Sequence, residues 1–239
     1  MIKADVALDS MSVVVKGRFN AAIFSPLWLL QQDLIGASDF SKADIEMITS
    51  EFASFSTGWL QCQVVPDALQ LITKHPTEFE RLRDVAVGIL NTLPHTPISA
   101  LGINRAVHFA TSDLQQFLAI GDRLVPKQFW EELVALPITR QVAVVGERSD
   151  VFAGRLHVQV EPSQNFPEHI FVGQNDHFDL ALEEVKATSR TESWIEAKKD
   201  RQIEPSADKI PMATEILTSV WTASVNRADD IVNAIARIR

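Results

Sequence analysis

Hydrophobic and polar positions first fall into strict alternation at Ser12 to Phe19. Val13, Val15, Gly17 and Phe19 point one way and Lys16 and Arg18 the other, which predicts a strand with one buried face. Ser25-Pro26 then gives a helix start, a hydroxyl cap followed by a proline whose missing N–H costs nothing there. Trp28, Leu29 and Leu30 carry the predicted helix to Leu34, and Gly36 closes it. Ala37 to Glu51 is more polar and reads as a connection with a short helical turn. Strands are predicted at Glu51 to Thr57, Leu60 to Val65 and Ala68 to Lys74, the last two joined by a tight Pro66-Asp67 turn. From Pro76 the spacing switches to threes and fours. Phe79, Leu82, Val85, Ala86, Ile89 and Leu93 form one apolar helical stripe, which Pro94 ends.

The same order returns in the second half of the chain. Ile98 to Phe109 predicts a long strand, and Ser112-Asp113 caps a helix through Leu114, Phe117, Leu118 and Leu124. A shorter amphipathic piece follows around Phe129, Trp130 and Leu133. Thr139 to Glu147, Gly154 to Glu161 and His169 to Asn175 predict three more strands, and Glu215 to Ile238 a closing helix. Leu60-Gln61-Cys62-Gln63-Val64-Val65-Pro66 is echoed by Leu156-His157-Val158-Gln159-Val160-Glu161-Pro162, each preceded by a glycine, Gly58 and Gly154. These correspondences predict an α+β fold made of a duplicated β-α-β-β-β-α unit, residues 1–96 and 97–239, within one structural domain. Two such units joined edge to edge give one antiparallel sheet of about eight strands with helices on one face. In element order alone this resembles the saddle of the TATA-binding protein. A polar insertion at about 182–210, containing Trp194, has no counterpart in the first half and is long enough to expect a functional role.

Alternation assigns faces within the twin strands. Leu60, Cys62 and Val64, with Leu156, Val158 and Val160, belong to the core, which leaves Gln61, Gln63, His157 and Gln159 on a polar face. Composition adds limits. At 239 residues the chain is long enough to bury a large core, and one cysteine permits neither an intrachain disulfide nor a thiol metal cluster. No apolar run approaches the length of a membrane span, and the N-terminal residues lack a signal-peptide layout, so a cytoplasmic protein without membrane contact is expected. The net charge of −9 repels phosphate backbones. Nucleic acid would need Lys16, Arg18, Lys74, Arg105 and Arg140 to gather on one surface, and it is the less favoured partner.

Three patterns bear on chemistry. Asn175-Asp176-His177-Phe178-Asp179 sets carboxylates around an imidazole, the composition of an oriented general base or a metal-assisted hydrolase, although the close His spacing of a strong metal site is absent. Gly102-Ile103-Asn104-Arg105 places a glycine in mid-strand, where a bulge or close backbone approach is expected. Arg105 is there either an anion clamp or, more commonly, a structural ion pair. Cys62 and His157 fall on opposite faces, which rules out a Cys and His nucleophile pair, and no Gly-rich phosphate loop or hydrolase serine elbow occurs. No cofactor, metal or catalytic set is therefore expected.

Phe19-Asn20-Ala21-Ala22-Ile23-Phe24-Ser25-Pro26-Leu27-Trp28-Leu29, His95-Thr96-Pro97 leading to Gly102-Ile103-Asn104, and Val160-Glu161-Pro162 with Asn175-Asp176-His177 resemble an uncharacterised family of bacterial proteins of similar length. The resemblance implies a bacterial, non-secreted protein and carries no activity. The expectation that results is a non-catalytic interaction or scaffold protein. It would contact another protein through Gln61, Gln63, His157 and Gln159, or through Trp194 in the insertion. Self-association is a further option, because open sheets need their edges paired. The alternatives are a nucleic-acid or small-ligand binder on the open face, and a hydrolase using Asp176, His177 and Asp179.

Overall fold

The computed structural model describes residues 1–148, 150–181, 191–192 and 203–239. Its frame is one antiparallel sheet of nine strands: β1 (Val6–Gly17), β2 (Asp44–Ile48), β3 (Ala53–Ser56), β4 (Gln61–Val65), β5 (Ala68–Thr73), β6 (Ile98–Ala110), β7 (Val142–Glu147), β8 (Gly154–Pro162) and β9 (His169–Asp179). Their order across the sheet is β2-β3-β4-β5-β1-β6-β9-β8-β7. The long strands β1 and β6 pair at the centre. Outward from them, β5, β4, β3 and β2 follow on one side and β9, β8 and β7 on the other, so β4 and β8 hold equivalent positions.

The sequence reading missed one strand. β2 lies in the stretch expected to be a connection, because its side chains are mostly exposed and a register shift between Ile45 and Met47 breaks the alternation. β1 also begins six residues before the predicted start. Asp9 stands at a core-facing position there, paired to Arg105, and so inverts the expected pattern. β9 likewise runs on to Asp179. Gly102 lies in an unbroken ladder, opposite Val14 and His177, and makes no bulge. Trp194 and most of the insertion at 182–210 lie outside the described residues; of its end, Ser206 bridges to Ile98.

Helices α1 (Pro26–Gln31), α2 (Ala37–Phe40), α3 (Phe79–Thr92), α4 (Leu114–Leu124), α5 (Gln128–Glu131), α6 (Ile210–Ser219) and α7 (Trp221–Ala236) complete the described elements. The Ser25 hydroxyl accepts from the Trp28 N–H at 3.1 Å, with Pro26 at the first helical position, as predicted. α1 closes earlier than Gly36. Asp33 takes a φ of 57°, and the Leu34 and Asp33 N–H groups donate to the Leu29 and Leu30 carbonyls, a Schellman close without glycine. The Asp113 carboxylate caps α4 through the Gln116 N–H at 2.8 Å. The single closing helix is in fact α6 and α7, broken at Val220.

Among the described residues both hydrophobic cores lie on one side of the sheet. Met11, Val13, Val15, Phe55, Cys62, Val64, Leu69, Leu71, Leu101, Ile103 and Phe178 meet Leu29 of α1, Leu82 and Ile89 of α3, and Ile216 and Trp221 of α6 and α7. A second, smaller core joins Val107, Phe109, Val160, Ile170 and Val172 to Ile120 of α4 and Val232 and Ile235 of α7. No described helix packs on the opposite face. Both glycines before the twin strands have positive φ, 84° at Gly58 and 128° at Gly154, and a Cβ on Gly154 would lie 2.1 Å from the His177 carbonyl oxygen. Only glycine fits that approach.

Candidate functional site on the open sheet face

Register decides which side chains share the face that no described helix covers, because directly paired residues point the same way. One row runs Gln61 (β4), Ile72 (β5), Ser12 (β1), Asn104 (β6), Asn175 (β9) and His157 (β8). The row toward one end of β1 is Gln63, Gln70, Val14, Gly102, His177 and Arg155. The row toward the other end includes Ser10, Ala106, Gly173, Gln159 and Ala143. Gln61, Gln63, His157 and Gln159 therefore lie on one face, with Cys62 buried behind it and its thiol pushed well up by burial.

At the middle of the first row the Asn104 amide donates to the Ser12 hydroxyl at 3.2 Å. Gln61 and His157 stand at the two ends of that row, equally many strands from this bond. Gln63 and Gln159 fall in the rows on its two sides. The face is hollowed around it, with a cavity of about 500 Å³ lined by Ser12, Ile72, Asn104, Val145, His157, Gln159, Phe171 and Asn175 among others. Small residues keep the floor low. Gly102, Gly173, Ala106 and Ala143 lie in the middle and outer strands, and the Phe171 ring folds over Gly173 so closely that a Cβ there would come within 2.9 Å of it. The His157 imidazole has its pKa lowered by desolvation among the strands, and then by the charges of His177 and Arg155. It is neutral near pH 7 and offers one donor and one acceptor.

The Asn175-to-Asp179 cluster is divided by the same alternation. His177 and Asp179 share the open face, with imidazole Nε2 and carboxylate 3.1 Å apart. Asp176 points the other way and is fully buried. There it accepts from Arg148 at 2.7 Å, from Arg227 at 2.7 and 2.9 Å and from the Ser224 hydroxyl. The three residues thus cannot act on one substrate. Among the described residues no group of three or more His, Cys, Asp or Glu side chains is placed to hold a metal ion.

Arg105 is a structural residue. It is buried on the helix side, donating to Asp9 at 2.9 and 2.8 Å, to Asp229 at 2.7 Å and to the Val225 carbonyl at 3.2 Å. Burial opposes its charge, and the two carboxylates more than offset that, so its pKa is raised. The remaining cations considered for nucleic acid do not gather with it. Lys16 pairs with Asp67 at one end of β5, Lys74 follows the other end, and Arg140 lies before β7.

His108 lies on the open face, the side to which the alternation of its strand assigns it from the sequence. It is buried at the rim, its Nδ1 2.8 Å from the Ser163 hydroxyl, its ring against Phe166 and Phe171. The Ser163 oxygen already accepts from the Asn165 and Phe166 N–H groups, so its proton goes to the imidazole. Burial, followed by the charge of His169, lowers the His108 pKa. It stands two positions beyond Ala106 on the same face. Among the described residues no helix is long and apolar enough to cross a membrane. No family model matches the chain, and no curated protein is similar to it, so the resemblance noted from the motifs assigns no family.

Proposed function

We propose that this is a non-catalytic binding protein that receives a partner protein on the open face of its sheet. The observation that carries the reading is the central row, in which Ser12, Asn104, Asn175, His157 and Gln61 present neutral donors and acceptors across six adjacent strands around a hollow. Neutral amides match the N–H and C=O groups of a polypeptide, while Ile72, Val145 and Phe171 supply apolar contact around them. Scattered cations and few stacking aromatics disfavour nucleic acid. The division of Asp176 from His177 and Asp179 disfavours hydrolysis. A small polar ligand is the second reading, favoured by the hollow itself, whose size falls in the range of small-molecule sites.

The first half carries one strand more, β2, than the predicted β-α-β-β-β-α unit, and it is the twin segments of the sequence that support the choice of face. A twofold axis through the Ser12 and Asn104 pair exchanges Gln61 with His157 and the Gln63 row with the Gln159 row. That is the correspondence of the twin segments in the sequence. On this reading the platform is saddle-like, with its receiving surface astride the axis. Affinity capture from extracts of the native host tests the reading. Wild type and the helix-face variant Arg83→Glu should recover the same defined protein, and Gln159→Arg and His157→Glu should lose it with unchanged circular dichroism. If every captured protein survives both open-face variants, the reading fails.

A further inference from the structure

The two ends of the sheet differ in a way that assigns a second contact surface. β2, at one end, is interrupted by a register shift and carries Asp44 and Glu46. If two copies paired there about Glu46, the acidic groups would be brought together, which opposes strand addition. β7, at the other end, has the sequence Val142-Ala143-Val144-Val145-Gly146-Glu147, pairs with β8 without a shift and contains no charge before Glu147. Its outer edge pairs with no other described strand. Val144 and Val145 are 58% and 45% exposed. β7 is joined to a run of exposed apolar side chains, Trp130, Leu133, Val134, Leu136 and Ile138, of which Leu136 is 93% exposed. Exposed apolar groups this close in sequence, leading into an uncharged edge strand, mark an association surface.

We propose that β7 pairs antiparallel with β7 of a second copy of this chain, extending the two sheets into one. The occupant follows from parity and charge. A twofold axis perpendicular to the sheet keeps the helix sides of both copies together only when residues of equal parity meet. Centred on Val144, it sets Val144 opposite Val144, Ala143 opposite Val145, Val142 opposite Gly146 and Gln141 opposite Glu147. Each of these four pairs is apolar or meets a carboxylate with an amide; Arg148, which follows in register with Arg140, is held inward by Asp176 and Asp150. For a chain of net charge −9 this edge, without charge from Val142 to Gly146, is where two copies can approach at low electrostatic cost. Val142 and Val144 lie on the helix side, where Val144 of one copy meets Val144 of the other. Because the hollow reaches Ala143 and Val145, pairing also brings the two hollows alongside each other. The proposal stands whether or not the open face binds a protein.

Sedimentation of the purified full chain tests it, over about 1 to 100 µM, the range in which a standard-sized interface associates. Wild type should sediment as a dimer. V144K and V144E, changes at an exposed site that leave the thermal transition in place, should each be monomeric, with dissociation constants raised at least about 100-fold by the like charges at the axis. An equimolar mixture of the two variants should recover the dimer, and I45K on β2 should leave it intact. A monomeric wild type at 100 µM, dimers that persist in both single variants, or a mixture that stays monomeric would each overturn the proposal. The last result would point to a different chain as the occupant of the edge.

Discussion

Asp176 and His177 are neighbours in the chain and opposites in the fold. Asp176 turns inward to Arg148, Arg227 and Ser224, and Arg148 also holds Asp150. His177 turns outward onto the open face, where it meets Asp179 at 3.1 Å. The contrast extends to the two faces as wholes. On the helix side the charged groups form closed sets, with Arg105 between Asp9 and Asp229, and Asp229 also taking the N-terminal amine at 2.5 Å. On the open side, Asn104 bonds Ser12, while Gln61, Gln159 and Asn175 make no side-chain hydrogen bond to the other described residues. Removing a member of a closed set leaves a buried charge unpaired, which is strongly destabilising. Removing an open-face amide costs little stability and subtracts only from what the face can bind.

The largest effect should come from Asp176→Ala, which takes from Arg148 and Arg227 the buried carboxylate they share and leaves Arg148 with Asp150 alone. About 3 to 5 kcal/mol of unfolding free energy should be lost in urea titration, and a loss under about 1 kcal/mol would show that the set is not closed. Arg105→Met comes next. Asp229 keeps the N-terminal amine but Asp9 loses its partner, so about 2 to 4 kcal/mol is expected from the same titration. Gln61→Ala, Gln159→Ala and Asn175→Ala should stay within about 0.5 kcal/mol of wild type. A larger cost at any of the three would mean that the open face is structural after all.

The smallest effect is a pH dependence from His108. Its folded-state pKa lies below the ordinary value of 6.5, so the unfolded chain binds the proton first. That contribution is present above about pH 6.5 and is lost as pH falls through the lower folded-state value. His108→Gln should therefore flatten the decline in stability between pH 7 and 5.5, and imidazole titration by NMR should put both His108 and His157 below 6.5. A His108 that titrates above 6.5 would contradict its burial against Phe166 and Phe171.

Much of the sheet was legible because one buried face imposes a period of two. That period put Gln61, Gln63, His157 and Gln159 on one side and Cys62 on the other from sequence alone. It failed where tertiary pairing overrode it. Asp9 and Asp176 occupy inward positions that look polar-out, and only their distant partners, Arg105 and Arg227, justify them. β2 was hidden because an edge strand with exposed side chains has no buried face to advertise. The break at Val220 was hidden because an apolar stripe continues across it. The hollow could not be read without register, since it depends on which strands are neighbours across the sheet.

The most direct test of the open face as the receiving surface is photocrosslinking with a benzophenone amino acid placed singly at positions 61, 157 and 159, and at position 83 on the helix side. The account predicts that the three open-face positions crosslink one common partner and that position 83 does not. Crosslinking of that partner from position 83, with none from 61, 157 or 159, would contradict it.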